Sequence, residues 1–242
     1  MKRIGDCFLY GIVDLGYVPD RDVGLVTSRL VAGGIDVLQL RAKGRSKPEI
    51  ADLVLAMLPI TKAAGVALIV NDHPGLLQEV DADGCHVGQE DFGVAEARDL
   101  AGRPCIVGKS THSLEQAGSA QQEGADYIGF GPLFPTATKP SAVAVGLGQL
   151  DVLHRTVNLP VFCIGGVKLE NLRDVVHAGA RRVCMVSDLV CALDVQAHTA
   201  AVKVLLRELG ADASERRVTP PGAPSEPESG ERRTVRCNDL VQ

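Results

Sequence analysis

The chain has 242 residues, of which 45% are hydrophobic and only 3% aromatic, and its formal net charge is −5. It has no long basic block and few of the aromatic side chains on which nucleic-acid bases stack, so we expect no nucleic-acid partner. It also has no run of about 18 uncharged apolar residues, which excludes a transmembrane helix and a membrane partner at the level of sequence. The first residues lack the pattern of a signal peptide. These features predict a soluble, cytoplasmic protein.

Seven cysteines are spread along the chain, and no pair has the CxxC spacing of a metal or redox site. Several of them stand in apolar runs, where cysteine behaves as a small hydrophobic residue. Free thiols in this number are typical of a reducing compartment.

In chain order, short apolar segments alternate with longer segments of helical spacing. The predicted strands are 8–13, 35–40, 67–70, 84–88, 105–108, 127–130, 161–164 and 182–186. The predicted helices include 22–33, 48–64, 113–123, 168–178 and 193–208. Pro48 suits a first helical turn, and Ser113 with Gln116 fits a capping box. Gly65, Gly124 and Gly179 are placed to end the helices before them.

Eight strand–helix units in about 200 residues predict an α/β fold of the (β/α)8 barrel type. The alternative is a doubly wound open sheet, but that fold needs a glycine-rich first turn, and VDLGYVPD here has none. We assign residues 1–210 to a single barrel domain. Residues 211–242 are rich in Pro, Ser, Glu and Arg and poor in apolar residues. That composition predicts a disordered tail.

Polar residues at the carboxyl ends of the strands mark the functional end of such a barrel. After the second strand, Gln39, Arg41 and Lys43 alternate and therefore share one face. Two cations in phase with an amide predict an anion site.

Two aspartates follow neighbouring strands. Asp72 ends the third strand segment and Asp91 follows the fourth. Beside cationic side chains, a carboxylate pair suits Mg2+ bound to a phosphorylated substrate, because Mg2+ takes one or two carboxylates and completes its shell with phosphate and water. The alternative for each aspartate alone is a cap, for Asp91 on a helix near residue 93.

A second anion site is predicted after the seventh and eighth strands. Gly166 allows backbone N–H groups to approach an anion, and Ser187 follows the last strand. Ser110 after the fifth strand is placed to reach a phosphate oxygen, whereas His112 suits either a base or a structural role. The proline-rich loop 131–140 lies between the two sites.

Taken together, the motifs resemble those of the thiamine-phosphate synthase family. They are QLRAK (39–43), VND (70–72), HVGQED (86–91), GKSTHS (108–113), GADYIGFGPLFPTATK (124–139), VGLG (145–148), IGGV (164–167) and MVS (185–187). The resemblance covers nearly all of residues 8–208. It implies a (β/α)8 barrel that joins an aminopyrimidine methyl diphosphate to a thiazole phosphate, or to its carboxylated tautomer, and releases pyrophosphate with Mg2+.

The resemblance also assigns residues. It implies that the pyrimidine diphosphate is bound by Gln39, Leu40, Arg41, Ala42, Lys43, Asn71, Ser110 and Lys139, of which Arg41, Lys43, Ser110 and Lys139 are catalytic. It implies that the thiazole phosphate is bound by Thr136, Ala137, Thr138, Gly166, Val186 and Ser187, and Mg2+ by Asp72 and Asp91. The implied mechanism is a dissociative substitution without a protein nucleophile.

Two other functions compete with this one. A thiazole tautomerase of the same barrel family needs no metal, and a non-catalytic regulator would bind thiamine phosphate without turnover. The pair Asp72 and Asp91, with Lys139, favours the synthase. Asp188 departs from the family pattern, since a carboxylate beside a phosphate site is unfavourable unless it points away. Small phosphorylated substrates are the expected partners, and a homo-oligomer is left open.

Overall fold

The structure is a computed structural model that describes residues 2–136 and 143–210. Its parallel strands form a closed barrel in which each strand is hydrogen-bonded to the next and β8 closes on β1. The strands are β1 (Leu9–Asp14), β2 (Val37–Arg41), β3 (Ala67–Asn71), β4 (Gly84–Val87), β5 (Ile106–Thr111), β6 (Tyr127–Phe130), β7 (Val161–Ile164) and β8 (Val183–Met185). The predicted (β/α)8 barrel is confirmed, and the open sheet is excluded by the closure.

The helices surround the barrel. They are α1 (Val23–Ala32), α2 (Lys47–Ala64), α3 (Val94–Ala101), α4 (Leu114–Gln122), α5 (Leu150–Thr156), α6 (Leu172–His177), α7 (Ser187–Val190) and α8 (Val195–Glu208). Short 3-10 turns cover Ile4–Asp6, Asp20–Asp22, Pro74–Gln78 and Leu169–Asn171. The turn Pro74–Gln78 takes the place of an α-helix between β3 and β4. Both α5 and α7 escaped the sequence analysis because segments of seven and four residues give too few repeats of the helical period.

Local signals set the helix ends much as expected. Ser46 and Glu49 form a reciprocal capping box at the start of α2. The Ser113 hydroxyl accepts a hydrogen bond from the Gln116 N–H at 3.2 Å. The Gln116 side chain, however, accepts from the N–H of His112 rather than of Ser113, so the predicted box is shifted by one residue. The three predicted stop glycines all have a positive φ, as a left-handed helix end requires: Gly65, Gly124 and Gly179.

Strand alternation separates two apolar layers. Side chains such as Tyr10, Ile69, Tyr127 and Phe162 point into the barrel and form its inner core. The intervening residues pack outward against the helices in a larger outer core. Gly108 on β5 makes room for the inner layer, because a Cβ there would lie 2.0 Å from the Tyr127 ring.

Three carboxylates bind the amino ends of neighbouring strands together. Asp36, just before β2, accepts hydrogen bonds from the N–H groups of Phe8 and Leu9, each at 3.0 Å, and its side chain is fully buried. Asp83 and Asp126 do the same before β4 and β6, where they accept from the N–H groups of Leu68 at 2.8 Å and Val107 at 2.7 Å. These contacts fix the end of the barrel opposite the predicted chemistry.

Some predictions fall on residues outside the described ranges. They include the tail 211–242 and three site residues, Ala137, Thr138 and Lys139. Within the described part, no helix is long and apolar enough to cross a membrane.

Candidate active site

A cavity of about 380 Å³ opens at the carboxyl ends of the strands, within the size range of small-molecule sites. Every strand contributes to its wall or rim. The lining residues are Tyr10, Ile12, Asp14, Gln39, Arg41, Asn71, His86, Ser110, Thr111, His112, Tyr127, Gly129, Gly131, Pro132, Pro135, Thr136, Phe162, Ile164, Gly165, Gly166, Val167, Lys168, Cys184, Val186 and Ser187.

Arg41 is fixed on this wall by a carboxylate that the sequence analysis did not single out. Its Nη1 donates to Asp14 Oδ2 at 2.7 Å, and the Asp14 side chain is only 4% exposed. The second oxygen of Asp14 accepts from the Gly16 N–H at 2.9 Å. Asp14 ends β1 directly beside Arg41, the last residue of β2. The sequence did offer a signal for this contact: Asp14 directly follows the first predicted strand and Arg41 the second. Adjacent parallel strands bring their carboxyl ends together, so the two side chains could have been expected to pair.

A chain of hydrogen bonds runs across the floor of the cavity. The Gln39 amide donates to the Tyr10 hydroxyl at 2.9 Å, and this hydroxyl lies 2.9 Å from that of Tyr127. The Tyr127 hydroxyl lies 3.1 Å from His86 Nδ1, and His86 Nε2 lies 2.9 Å from Ser110 Oγ. Burial raises the pKa of both tyrosines, so their hydroxyls stay protonated and can donate. This floor orients two predicted site residues, Gln39 and Ser110.

The two predicted metal ligands stand at the ends of adjacent strands. Asp72 adopts a left-handed backbone with φ 61°, and its N–H donates to the carbonyl of His86 on the next strand at 2.9 Å. The Lys43 ammonium forms an ion pair with Asp72 Oδ2. Asp91 Oδ2 accepts from the Gly88 N–H at 2.7 Å. Neither aspartate caps a helix: Gly93 precedes α3, and His73 precedes the turn Pro74–Gln78.

The chemistry of these donors fits Mg2+. Asp72 Oδ2 is buried and pairs with the Lys43 ammonium, and among the described residues it has no other partner, so a cation already occupies its surroundings. Among those residues, no group of three or more His, Cys, Asp or Glu side chains surrounds a common centre. A pair of carboxylates is nevertheless sufficient for Mg2+ when phosphate oxygens and water complete the shell.

The loop after β6 lies against the end of β7. The N–H groups of Leu133 and Phe134 donate to the carbonyls of Ile164 and Gly165 at 2.8 and 3.0 Å. Gly166 has a φ of 66°, and a Cβ there would lie 2.7 Å from the Cβ of Phe134. Glycine is therefore required both by the backbone conformation and by the close approach of this loop, which leads into Thr136 on the cavity wall.

Asp188 points away from the cavity, as a nearby phosphate site requires. Its Oδ2 accepts from the Leu169 N–H at 3.1 Å and lies 2.8 Å from His198 Nε2 on α8. Val186 and Ser187, by contrast, line the cavity. Asp188 differs from the family pattern, but its carboxylate is held by Leu169 and His198 outside the cavity and does not face the predicted phosphate site.

The predicted site residues divide into three groups. Those that line the cavity are Gln39, Arg41, Asn71, Ser110, Thr136, Gly166, Val186 and Ser187. Lys43, Asp72 and Asp91 lie beyond its lining, at the strand exits, while the Leu40 and Ala42 side chains are buried in the outer core. Any contact of Leu40 or Ala42 with a substrate would therefore use backbone atoms. Ala137, Thr138 and Lys139 lie outside the described residues.

Four cavity residues were not predicted as ligands or were left without a role. Tyr10 and Tyr127 escaped notice because each stands in an apolar run and reads as core. His86 connects Tyr127 to Ser110. His112 has a structural partner: its Nδ1 contacts the Gly131 carbonyl, which joins the β5 exit to the loop after β6.

Comparisons with known proteins bear on the family and the fold. The family model described as thiamine monophosphate synthase matches residues 9–189. A thiamine-phosphate synthase of Halalkalibacterium halodurans is 38% identical over 206 residues, covering 85% of this chain and 98% of the relative. One of Chloroflexus aurantiacus is 41% identical over 207 residues, covering 85% and 95% respectively.

Among solved structures, a thiamine phosphate pyrophosphorylase from Pyrococcus furiosus superposes with a TM-score of 0.78 at 29% identity, covering 86% of this chain and 99% of that one. The relatives identify an enzyme of the transferase class in thiamine biosynthesis. The residues matched, the identity and the closed barrel together establish that this chain belongs to the thiamine monophosphate synthase family.

Proposed function

We propose that the protein condenses 4-amino-2-methyl-5-(diphosphooxymethyl)pyrimidine with 4-methyl-5-(2-phosphoethyl)thiazole, or with the carboxylated thiazole phosphate, and yields thiamine phosphate and pyrophosphate. The observation that supports the proposal is a single cavity lined by two groups of residues whose chemistry suits anions. The Asp14–Arg41 pair lines it at the ends of β1 and β2, and the Gly165–Gly166 step and Ser187 line it after β7 and β8. Such a cavity can hold two anionic substrates side by side.

On the diphosphate side, Arg41 and Lys43 would neutralise the charge that develops on the leaving pyrophosphate. Asp14 holds the Arg41 guanidinium in place before the substrate arrives, so little reorganisation is needed during the reaction. The family resemblance assigns Lys139, which lies outside the described residues, to the same task.

Mg2+ bound through Asp72 and Asp91 would supply further positive charge to the diphosphate oxygens. The Lys43 ammonium, which contacts Asp72, would exchange that contact for one with the diphosphate. We therefore assign Asp72 and Asp91 to holding the metal and Lys43 to binding the substrate beside it.

On the thiazole side, backbone N–H groups near Gly166, Val186 and Ser187 would bind the phosphate, together with Thr136. The family resemblance assigns Thr138, outside the described residues, to the same phosphate. The cavity floor of Gln39, Tyr10, Tyr127 and His86 would orient the pyrimidine through its polar groups. The chain would thus act by positioning and electrostatics.

The surroundings of the candidate nucleophiles agree with a mechanism without a covalent enzyme intermediate. Ser110 contacts His86, but the other ring nitrogen of His86 meets the Tyr127 hydroxyl instead of the carboxylate of a Ser-His-Asp triad. Cys184 lines the cavity, and burial raises the pKa of its thiol, which disfavours the reactive thiolate.

The direct test incubates the purified protein with both phosphorylated precursors and Mg2+ and measures thiamine phosphate and pyrophosphate. Equimolar formation of the two products is expected. Isomerised thiazole phosphate alone would instead indicate the tautomerase, and binding of thiamine phosphate without turnover would indicate the regulator.

A variant pair tests the assignment of the metal ligands. Asp91→Asn retains an acceptor for the Gly88 N–H but removes the charge, so we expect kcat/KM to fall by about 100-fold, which is roughly 2.7 kcal/mol of transition-state stabilisation. Asp91→Ala should lose at least as much. The exposed Asp99 on α3 offers a matched control, and Asp99→Asn should leave the rate unchanged. Near-normal activity of both Asp91 variants with Mg2+ chelated would refute the assignment.

A further inference from the structure

A second, smaller cavity lies at the opposite end of the barrel. Its volume is about 140 Å³, and it is lined by Lys2, Phe8, Lys203, Leu206 and Arg207. Phe8 immediately precedes β1, and the other lining residues besides Lys2 lie on the last turns of α8. None of these residues lines the large cavity at the carboxyl ends of the strands.

The cavity has an excess of positive charge. Its ammonium groups share one carboxylate, since Lys2 Nζ lies 2.8 Å from Asp36 Oδ1 and Lys203 Nζ pairs with Asp36 Oδ2. The same carboxylate also accepts the N–H groups of Phe8 and Leu9. Asp36 therefore cannot turn toward a third cation.

Arg207 is that third cation. It is exposed, and its guanidinium has no hydrogen-bond or ion-pair partner among residues 2–136 and 143–210. The charged groups that act on Lys203 are Asp36, Lys2 and Arg207, two of which repel it. Three cations facing one shared carboxylate leave a net charge of about +2 at this cavity, which an anion would offset.

Packing also fixes the position of the central cation of this cavity, Lys203. The Lys203 side chain is only 8% exposed and its ammonium lies 5.8 Å from the centre of the Phe8 ring, so its position is fixed by packing. Burial lowers the pKa of Lys203 and the two other cations lower it further, whereas Asp36 opposes them. A bound anion would favour the charged form of the ammonium and relieve this repulsion.

We propose that this cavity between β1 and α8 is a binding site for a phosphate-sized oxyanion, held by Arg207, Lys2 and Lys203 and separate from the catalytic end of the barrel. The volume accommodates one such group, and a dianionic phosphate matches the excess charge. Arg207 supplies the planar, multiple N–H donors that suit phosphate. The apolar wall of Phe8 and Leu206 limits competing hydration.

Backbone-resolved NMR can separate this site from the catalytic end. The full chain is titrated with inorganic phosphate at constant ionic strength, and the amide signals of Phe8 and Leu206 are followed beside those of Gly166 and Ser187. We expect saturable shifts at Phe8 and Leu206. In Arg207→Gln the apparent Kd at these two amides should rise at least about 5-fold, while the values at Gly166 and Ser187 stay unchanged.

Arg29→Gln is the matched control, because Arg29 is another exposed arginine in the last turn of a helix, α1. It should bind as the unmodified protein does. The proposal is overturned if Phe8 and Leu206 show no saturable shift, or if Arg207→Gln and Arg29→Gln bind phosphate there equally well. Since this readout requires no turnover, it stands apart from the test of the proposed synthase activity.

Discussion

At the residue scale, the site depends on side chains that hold other side chains. Arg41 is placed by the buried carboxylate of Asp14, and Ser110 is placed by His86. Removal of such a partner leaves the functional group present but free to rotate. A displacement of about 1 Å at a reacting centre can cost about 100-fold in rate.

Asp14→Asn is predicted to lower kcat/KM by roughly 10- to 100-fold, with a raised KM for the pyrimidine diphosphate, because the Arg41 guanidinium loses its charged partner. Steady-state kinetics with each substrate varied in turn would measure this. Asp20→Asn, which removes a carboxylate that pairs with Arg45 at the surface, is the control and should match the unmodified protein. Identical kinetics for both variants would show that Arg41 does not need Asp14.

At the element scale, the strands are held at their amino ends by Asp36, Asp83 and Asp126. Each carboxylate precedes an even-numbered strand and accepts from a backbone N–H at the start of the strand before it. Asp36 differs from the other two because it also compensates the buried Lys203. These hydrogen bonds stabilise the pairing of β1 to β6 at the amino ends of the strands. They do not contact the cavity at the carboxyl ends.

Asp36→Ala is predicted to destabilise the fold by roughly 3–5 kcal/mol, since Lys203 would remain buried without its counter-charge. Urea denaturation would measure the loss.

Burial alone would raise the pKa of Asp36, but hydrogen bonds from Lys2, Lys203 and the backbone outweigh it and lower the pKa. The contribution of Asp36 to the free energy of unfolding is therefore fully present above about pH 4, the ordinary pKa of an aspartate. It is lost as the pH falls through the lower pKa that Asp36 has in the folded state.

The exposed Asp81, which pairs with Lys62, provides the comparison for Asp36. Asp81→Ala should leave the denaturation midpoint where it is, because an exposed pair contributes little. Both proteins should keep the KM values of the unmodified enzyme as long as they are folded. An Asp36→Ala protein as stable as Asp81→Ala would contradict the role given to this carboxylate.

At the scale of the whole molecule, the barrel separates function from stability. Its carboxyl end carries the large cavity, and its amino end carries the three carboxylates that bind strand N–H groups and the smaller cationic cavity. Buried ionisable groups outside the site couple global stability to pH. His154 on α5 is such a group: its Nε2 is buried and has no hydrogen-bond partner in the described part of the chain.

Stability is predicted to fall as pH is lowered from about 6.5 to 4 because of His154. Burial, aided by Arg181 and Arg182, lowers the pKa of His154 to about 4. Between that value and the ordinary 6.5, the unfolded state binds a proton that the folded state does not, so acid favours unfolding by up to about 3 kcal/mol. Denaturant unfolding between pH 5 and 7.5 would measure the slope, above the range where carboxylates dominate.

His154→Leu should remove this part of the pH dependence, because no proton is then taken up at the position on unfolding. His177→Gln, at an exposed position on α6, should retain it. If the His154→Leu protein loses as much stability between pH 7.5 and 5 as the unmodified protein, the dependence arises elsewhere.

The barrel was predictable because its signals are local. Each predicted strand is present with its ends within a few residues of the predicted ones, and the strand predicted at 127–130 is β6, Tyr127–Phe130. A short apolar run between two helices is typical of a buried strand, so the pattern alone was sufficient. The family motifs likewise sufficed to place Arg41, Asn71 and Ser187 at one end of the molecule. Shorter elements such as α7 were not predictable, because four residues give too few repeats of the helical period.

What the amino-acid sequence determined by itself was therefore the order of the elements, the polar residues at the strand ends and the family. Only the tertiary structure decided which side chains meet: that Asp14 holds Arg41, that Tyr10 and Tyr127 form a polar floor, and that Asp188 turns toward His198. The physical reason is that these contacts join residues 27, 117 and 10 positions apart in the chain. The alternation of residues along one strand indicates which side chains share a face. Which side chains of other strands and helices they meet is decided only when the strands pair and the barrel closes.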